Sequence, residues 1–368
     1  MKTSSVRIML LAALKIIGGI TAVAVLAFVL LLTVITITEY RPKPNEPALV
    51  TELTAASQDG IDPAQTIDIL SWNIGYCGLG AAQDFFMDGG TMVRPANKTA
   101  VEENLAGIIR TLKRNPADFY FIQELDTSSK RSFYIDQTKA LTQALGTSCA
   151  YTYNFKAQFV PYPIPPIGKV ASGVGLFTRY PFNKAYRFAL PVPFTWPVST
   201  VNLKRCILVT RFPLNSGKEL VTANLHLEAY DQGEGKIAQT KALIDFISAE
   251  YAAGNYVIAG GDFNQTFPGT RERYPIQEGV WTAGAIDENL LPEGWQFAVD
   301  GRYPTCRLNN APYEPALTDE HIRAGWPYYV IDGFILSPNI SIQSVETLNE
   351  SFRYADHNPV KLRITLNP

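Results

Sequence analysis

The chain has 368 residues, enough for one large domain or two ordinary ones, and its 18 tyrosines and 19 phenylalanines provide material for a sizeable core. Its 32 basic and 34 acidic residues give a net charge of −2, but residues 1–43 hold Lys2, Arg7, Lys15, Arg41 and Lys43 against Glu39 alone, so residues 44–368 carry −6. A mildly acidic globular part lacks the electrostatic footprint of a high-affinity nucleic-acid binder.

Residues 16–38 contain no charge. As a helix they would span roughly 34 Å at about 1.5 Å per residue, enough for a bilayer core. The run is longer than the apolar region of a cleavable signal peptide, so it reads as an uncleaved single-pass anchor. Lys2, Arg7 and Lys15 precede it, which keeps residues 1–15 cytoplasmic and places the main domain outside, at the cell membrane. Residues 39–65 are polar and proline-bearing and read as a linker, with the folded domain over 66–368.

Within that domain, Ile67 to Trp72 reads as a buried strand ending at Asn73. Val101, Leu105, Ile108 and Leu112 recur at helical spacing until Asn115-Pro116. Asp118 to Ile122 is the next strand, with Gln123-Glu124 at its tip, and Ser132 to Leu145 a helix closed by Gly146. Gly173 to Thr178, Arg205 to Arg211 and Glu219 to Leu227 read as strands, the last two joined by a turn at Asn215-Ser-Gly217. Ile237, Ile244, Ile247 and Tyr251 mark a helix, and Tyr256 to Ala259 leads into GGDFN. Val330 to Leu336 and Val360 to Leu366 are the final strands. Hairpins mixed with strand-helix-strand units predict an α/β fold of two packed mixed β-sheets flanked by helices. The segments Tyr151 to Pro166 and Tyr186 to Pro197 are aromatic and proline-rich and read as loops. They either face a lipid surface or stacked base beside the site, or pack on their own domain.

Five strand ends carry the chemistry: Asn73, Glu124, His226, Asp262 with Asn264, and Asp356 with His357. Only three histidines exist, and His321 has no motif around it. Glu124, Asn73 and Asp356 offer the oxygens that Mg²⁺ or Mn²⁺ requires. Asp262 is the candidate to deprotonate or orient a water. Asn264, read as extended two residues on, can hold that water or a phosphate oxygen. His226 and His357 can donate to the phosphate, and Asp332 can fix a histidine tautomer. Ser172 and Asp231 border these strands and are candidate substrate contacts. Cys77, Cys149, Cys206 and Cys306 show no metal-ligand spacing and read as buried thiols or as one disulfide of unassignable pairing.

The strings LSWNIG, FIQELD, GVGLFTRYPF, NLHL, GGDFN, IDGFILS and ADHNPV follow one another in an order that resembles the endonuclease/exonuclease/phosphatase superfamily, from about Ile67 to Leu366. The resemblance implies a four-layer sandwich, divalent-metal dependence and phosphoester hydrolysis. It implies Asn73 and Glu124 as metal ligands, with Asp356 a second metal-side carboxylate. Asp262 and Asn264 become the water-and-phosphate pair, and Asp332 with His357 an acid-histidine dyad. The glycine-rich loop Gly75 to Arg94 is longer than in typical nuclease members, and arginine-rich DNA-gripping loops are missing. The expected substrate is therefore a lipid-linked or small phosphoester; a surface nuclease and a catalytically silent binding module are the alternatives. No protein partner is inferable.

Overall fold

The architecture comes from a computed structural model that describes residues 2–52, 60–231, 233–314 and 325–367. Part of the 39–65 segment and His321 fall outside these residues. Fourteen strands build two seven-stranded sheets. In chain order they are β1 (Asn45–Pro47), β2 (Leu49–Thr51), β3 (Ile67–Asn73), β4 (Phe119–Asp126), β5 (Ser148–Val160), β6 (Gly168–Thr178) and β7 (Lys184–Ala189). There follow β8 (Cys206–Pro213), β9 (Glu219–His226), β10 (Tyr256–Asp262), β11 (Gln296–Ala298), β12 (Asp332–Leu336), β13 (Ile340–Thr347) and β14 (Val360–Leu366). One sheet has the order β1-β7-β8-β9-β10-β12-β11, the other β13-β14-β3-β4-β6-β5-β2. The helices are α1 (Lys2–Ile37), α2 (Lys98–Arg114), α3 (Gln137–Leu145) and α4 (Glu234–Ala252).

Alternation along each strand assigns residues to layers. Ile67 and Ile69 of β3 point between the sheets with Phe121, Leu208, Ile258 and Phe334, while Leu70 and Trp72 point outward against α2 and α3. On the other side, Val209, Val221 and Val257 pack on Leu243 and Ile247 of α4. Both faces of each central strand are thus buried, which is why these segments read as continuous apolar runs. The four-layer α/β sandwich expected from the sequence is the fold observed.

Several local expectations differ. Residues 45–51 are not a free tether, because β1 pairs with β7 and β2 with β5, adding one edge strand to each sheet. Tyr151 to Pro166 is strand as far as Val160; its prolines all lie beyond, in the turn to β6, where no ladder donor is needed. Likewise β7 covers the first part of Tyr186 to Pro197. The segment from Ser132 is a short turn before α3, whose first N–H groups are capped by Asp136. Ile237 in the first turn of α4 is 65% exposed, off the stripe made by Leu243 and Ile247. Strand β13 had no counterpart in the sequence reading: its central residues are exposed or half-buried and show no clean apolar pattern. All four cysteines are buried and unpaired.

Helix α1 presents apolar side chains on its surface from Ile8 to Ile37, and residues 7–37 are long and apolar enough to cross a membrane.

Candidate active site

Register places the central acids. His226 is paired with Asp262 across the parallel β9–β10 ladder, and Asp262 with Asp332 across the antiparallel β10–β12 ladder. Adjacent strands lie about 4.8 Å apart, so three side chains from remote sequence positions stand in one row. The second glycine of GGDFN makes this possible. Gly261 has φ +140°, and a Cβ there would lie 2.0 Å from the Leu225 carbonyl oxygen.

Asp262 is the meeting point. Its Oδ2 accepts a hydrogen bond from Asn73 Nδ2 at 2.9 Å and lies 3.4 Å from His226 Nε2 and 3.8 Å from His357 Nε2. Its Oδ1 accepts from the Asn264 backbone N–H at 2.8 Å. Asn264 is not extended as expected: its φ is +51°, a left-handed bend that asparagine tolerates, and its Nδ2 donates to the Leu227 carbonyl at 2.9 Å. Glu124 has the same left-handed φ of +51°, at a bulge where the β4–β6 register slips between Ile122 and Leu125. The bulge turns the Glu124 side chain to the cavity, where its Oε1 accepts from Asn73 Nδ2 at 3.3 Å.

The two motif histidines sit in the same cavity with opposite charge preferences. Burial acts to strip the proton from His357, but Asp332, Cys306 and Asp262 outweigh it and hold its pKa well above the ordinary value. Its Nδ1 lies 2.8 Å from Asp332 Oδ2, which fixes Nε2 toward Asp262. At His226 burial prevails, reinforced by the cations Arg205, His357 and Arg131, and the pKa falls well below the ordinary value. His226 is therefore a neutral imidazole, and its approach to Asp262 is not an ion pair. Burial and the neighbouring Asp332 raise Asp262 to about 6, against the pull of His357. Asp356 is raised to about 7, first by burial and then by Glu124 and Asp88, although His357 and Arg307 act the other way.

Asp262, Asp332 and His357 have potential ligand atoms within 4.8 Å of one another, as a metal set would. The hydrogen bond between His357 and Asp332 already uses the Nδ1 lone pair or its proton, so we read that trio as an acid-base relay. We match a cation instead to Glu124, Asp356 and Asp88, which line the same cavity. The buried Asp356 Oδ1 has no hydrogen-bond partner, as is also true of Asp332 Oδ1, but around Asp356 the carboxylates of Glu124 and Asp88 add to the negative charge. An orphaned carboxylate oxygen among like charges fits a hard divalent ion with oxygen ligands. Asn73 Oδ1 accepts from the Gly75 N–H at 3.0 Å and keeps one lone pair for such an ion.

Ser172 also lines the cavity, its Oγ accepting from Arg131 at 3.1 Å. Asp231 does not; its carboxylate receives the N–H groups of Gly233, Gly235 and Lys236 and pairs with the Lys236 ammonium, capping α4. Motif reading missed the three arginines that line the cavity, Arg131, Arg205 and Arg307. Arg205 had a signal: it immediately precedes β8, whose start lies antiparallel beside the end of β9 that carries His226. Arg131 holds Asp126 through two hydrogen bonds and lies 3.8 Å from the centre of the Tyr76 ring, a placement with no sequence pattern. The Gly75 to Arg94 loop forms one wall with Phe85, Phe86 and Met87, and the whole cavity measures about 510 Å³.

Fold and site together define a four-layer α/β sandwich with an acid-histidine centre at the strand ends. The sequence matches the endonuclease/exonuclease/phosphatase family over residues 70–357, and the chain belongs to that family, which includes metal-dependent nucleases and phosphatases. Its fold is similar to that of an endonuclease/exonuclease/phosphatase from Beutenbergia cavernae, with 16% identity, a TM-score of 0.54 and coverage of 82% of this chain and 72% of that one. A family protein from Leptotrichia buccalis is similar at 15% identity and a TM-score of 0.52, covering 80% of this chain and 98% of the other. No curated protein matches the chain.

Proposed function

We propose that this protein is a divalent-metal-dependent hydrolase of phosphoester bonds, phosphodiesters foremost, anchored in the cell membrane by residues 16–38 with its catalytic domain outside the cytoplasm. The observation that carries the reading is the convergence on Asp262 of Asn73, His226 and His357, with His357 locked in turn by Asp332. A bound Mg²⁺ or Mn²⁺, held by Glu124, Asp356 and Asn73, would polarise the phosphoryl group and offset leaving-group charge.

The chain's own residues do the rest. Asp262, with its pKa near 6, is ionised at neutral pH yet basic enough to take a proton from the attacking water. Asn264 has committed its Nδ2 to Leu227, so its Oδ1 is the atom available, as an acceptor that orients the water. His357, protonated and pinned, donates toward the charge that grows on the phosphoryl oxygens. His226 is neutral and supplies a single N–H to the same region. Arg205 and Arg131 bring positive charge to the same cavity.

The globular part is acidic overall and the cavity wall is aromatic, which favours a small or lipid-linked phosphoester over nucleic acid. The test is hydrolysis of bis-p-nitrophenyl phosphate by the full-length protein in Mg²⁺ or Mn²⁺, beside nicking of plasmid DNA. Metal-dependent turnover with weak nicking is expected. Silence across metals and pH values would make the protein a binding module, and strong, salt-sensitive nicking would make it a nuclease.

A further inference from the structure

Ile237, Tyr134 and Leu49 stand exposed on separate elements of the globular part, but four strongly exposed apolar side chains are gathered near one edge of the cleft. Ile164 is 94% exposed, Tyr162 69%, Trp196 59% and Val198 52%. They belong to the turn between β5 and β6 and to the connection between β7 and β8. The two loops meet where Val201 packs on Val160 and Val170. Val160, Tyr162, Phe194 and Val198 also line the cavity that holds Asp262, so the same loops form its apolar mouth. Singly exposed apolar residues need no explanation, but a grouped set marks a surface that meets something.

What it meets is indicated by α1. The Trp196 indole N–H donates to Thr36 Oγ1 at 3.1 Å in the last turn of that helix, and Lys204 pairs with Glu39 at 2.9 Å just beyond it. Ile35 is buried at this junction, while Ile8, Ile20, Leu26 and Phe28 stand exposed further back along α1. Side chains of that kind on an isolated 36-residue helix need an apolar solvent, which a bilayer supplies. The span then ends at the level of Trp196, the depth at which tryptophan is favoured in membranes. Arg41 and Lys43 follow just past this level, Lys156 lies 5.5 Å from the Tyr40 ring beside them, and these cations suit anionic headgroups.

We infer that the loops carrying Tyr162, Ile164, Trp196 and Val198 dock on the bilayer that holds α1, so that the cleft opens onto the membrane surface and its substrate is a phosphoester amphiphile. The apolar part of that substrate lies along Phe86, Val160, Tyr162, Phe194 and Val198, and its phosphate reaches Asp262. The docking stands on geometry alone; the chemistry rests on the hydrolase reading above.

The experiment uses the full-length protein reconstituted into vesicles of phosphatidylcholine and phosphatidylglycerol. The native thiols are all buried, so an environment-sensitive fluorophore can be placed at Ile164→Cys and, as a control, at Ser216→Cys. Ser216 lies in the turn at the opposite end of β9 from His226. The expected result is a blue-shifted emission at position 164 that is quenched by spin-labelled lipid, with neither effect at position 216. Equal behaviour at the two positions overturns the docking. A blue shift without lipid quenching also overturns it, since a protein surface, such as a second copy of this chain, would then cover the patch. In parallel, Ile164→Asp should lower hydrolysis of the vesicle phospholipid about tenfold relative to bis-p-nitrophenyl phosphate, as expected when a carboxylate must enter the interface. An unchanged ratio overturns the amphiphile assignment. If the wild-type protein hydrolyses neither compound, the hydrolase reading and the amphiphile assignment fall together, while the fluorescence still decides the docking.

Discussion

The floor and the wall of the cleft are built by different rules. The floor is Asn73, Glu124, His226, Asp262, Asp332, Asp356 and His357, polar groups at or beside strand termini: sheet register sets His226, Asp262 and Asp332, a bulge sets Glu124, and Asp356 and His357 precede β14. The wall is Phe85, Phe86, Tyr162, Phe194 and Val198, carried by loops, with Val160 at the end of β5. A register shift of one residue would turn His226, Asp262 or Asp332 to the other face of its sheet, so the floor tolerates little change. Loops can vary without disturbing either sheet. On the proposed hydrolase function, reaction type belongs to the floor and substrate choice to the wall.

The sharpest way to break this division is at Asp262 and His357. Asp262→Ala or His357→Ala should each lower turnover about a hundredfold or more, through loss of a positioned base or of charge stabilisation. Circular dichroism should show the fold unchanged. Full activity in either variant would remove that residue from the floor.

Asp332→Asn is expected to cost less, about ten- to a hundredfold in kcat with KM nearly unchanged, because it perturbs the tautomer and charge of His357 without removing the imidazole. The pH dependence of turnover should also change, since His357 loses the carboxylate that keeps it protonated. An effect confined to thermal stability would reduce Asp332 to a packing role.

Proton linkage gives a further comparison. Asp356 has a folded pKa raised to about 7, so its protonated form favours the folded, metal-free protein. That contribution is full below the unfolded value near 3.8 and is lost as pH rises through about 7. A divalent ion requires the ionised form, so its affinity should fall about tenfold per pH unit below about 7 and level off above it. Calorimetric titration of Mn²⁺ at pH 5.5, 6.5 and 7.5 would measure this slope. A flat profile would place the ion away from Asp356.

The smallest effects are expected on the wall. Phe86→Ala or Phe194→Ala should raise KM for an amphiphilic phosphoester about fivefold, in line with the loss of about 1 kcal/mol of apolar contact. Turnover of bis-p-nitrophenyl phosphate should change little. Equal losses on both compounds would mean that these rings support the floor.

The same contrast explains what could be read from the sequence. Strands β3, β4, β9, β10 and β12 are two-sidedly apolar or nearly so, β14 alternates, and short polar motifs flank all six, so both the layers and the floor were legible. Strand β5 was masked because prolines crowd the turn directly after Val160, and β13 because its middle is exposed. Asp231 borders a motif strand yet caps a helix, a distinction that depends on the path of the chain after β9. Asn264 was read as extended because strand periodicity was carried two residues beyond the end of β10. The wall carries no motif: Phe86 and Phe194 are distant in sequence, and only the packed loops bring them to one cavity.

The hydrolase proposal requires a cation beside Glu124 and Asp356, distinct from the Asp332–His357 pair. Anomalous diffraction from crystals of the protein grown with Mn²⁺ tests this directly. A single strong peak bounded by Asn73, Glu124 and Asp356, lost in Glu124→Gln, is the predicted result. A peak held instead by Asp262, Asp332 and His357, or no peak in the cavity, would contradict it.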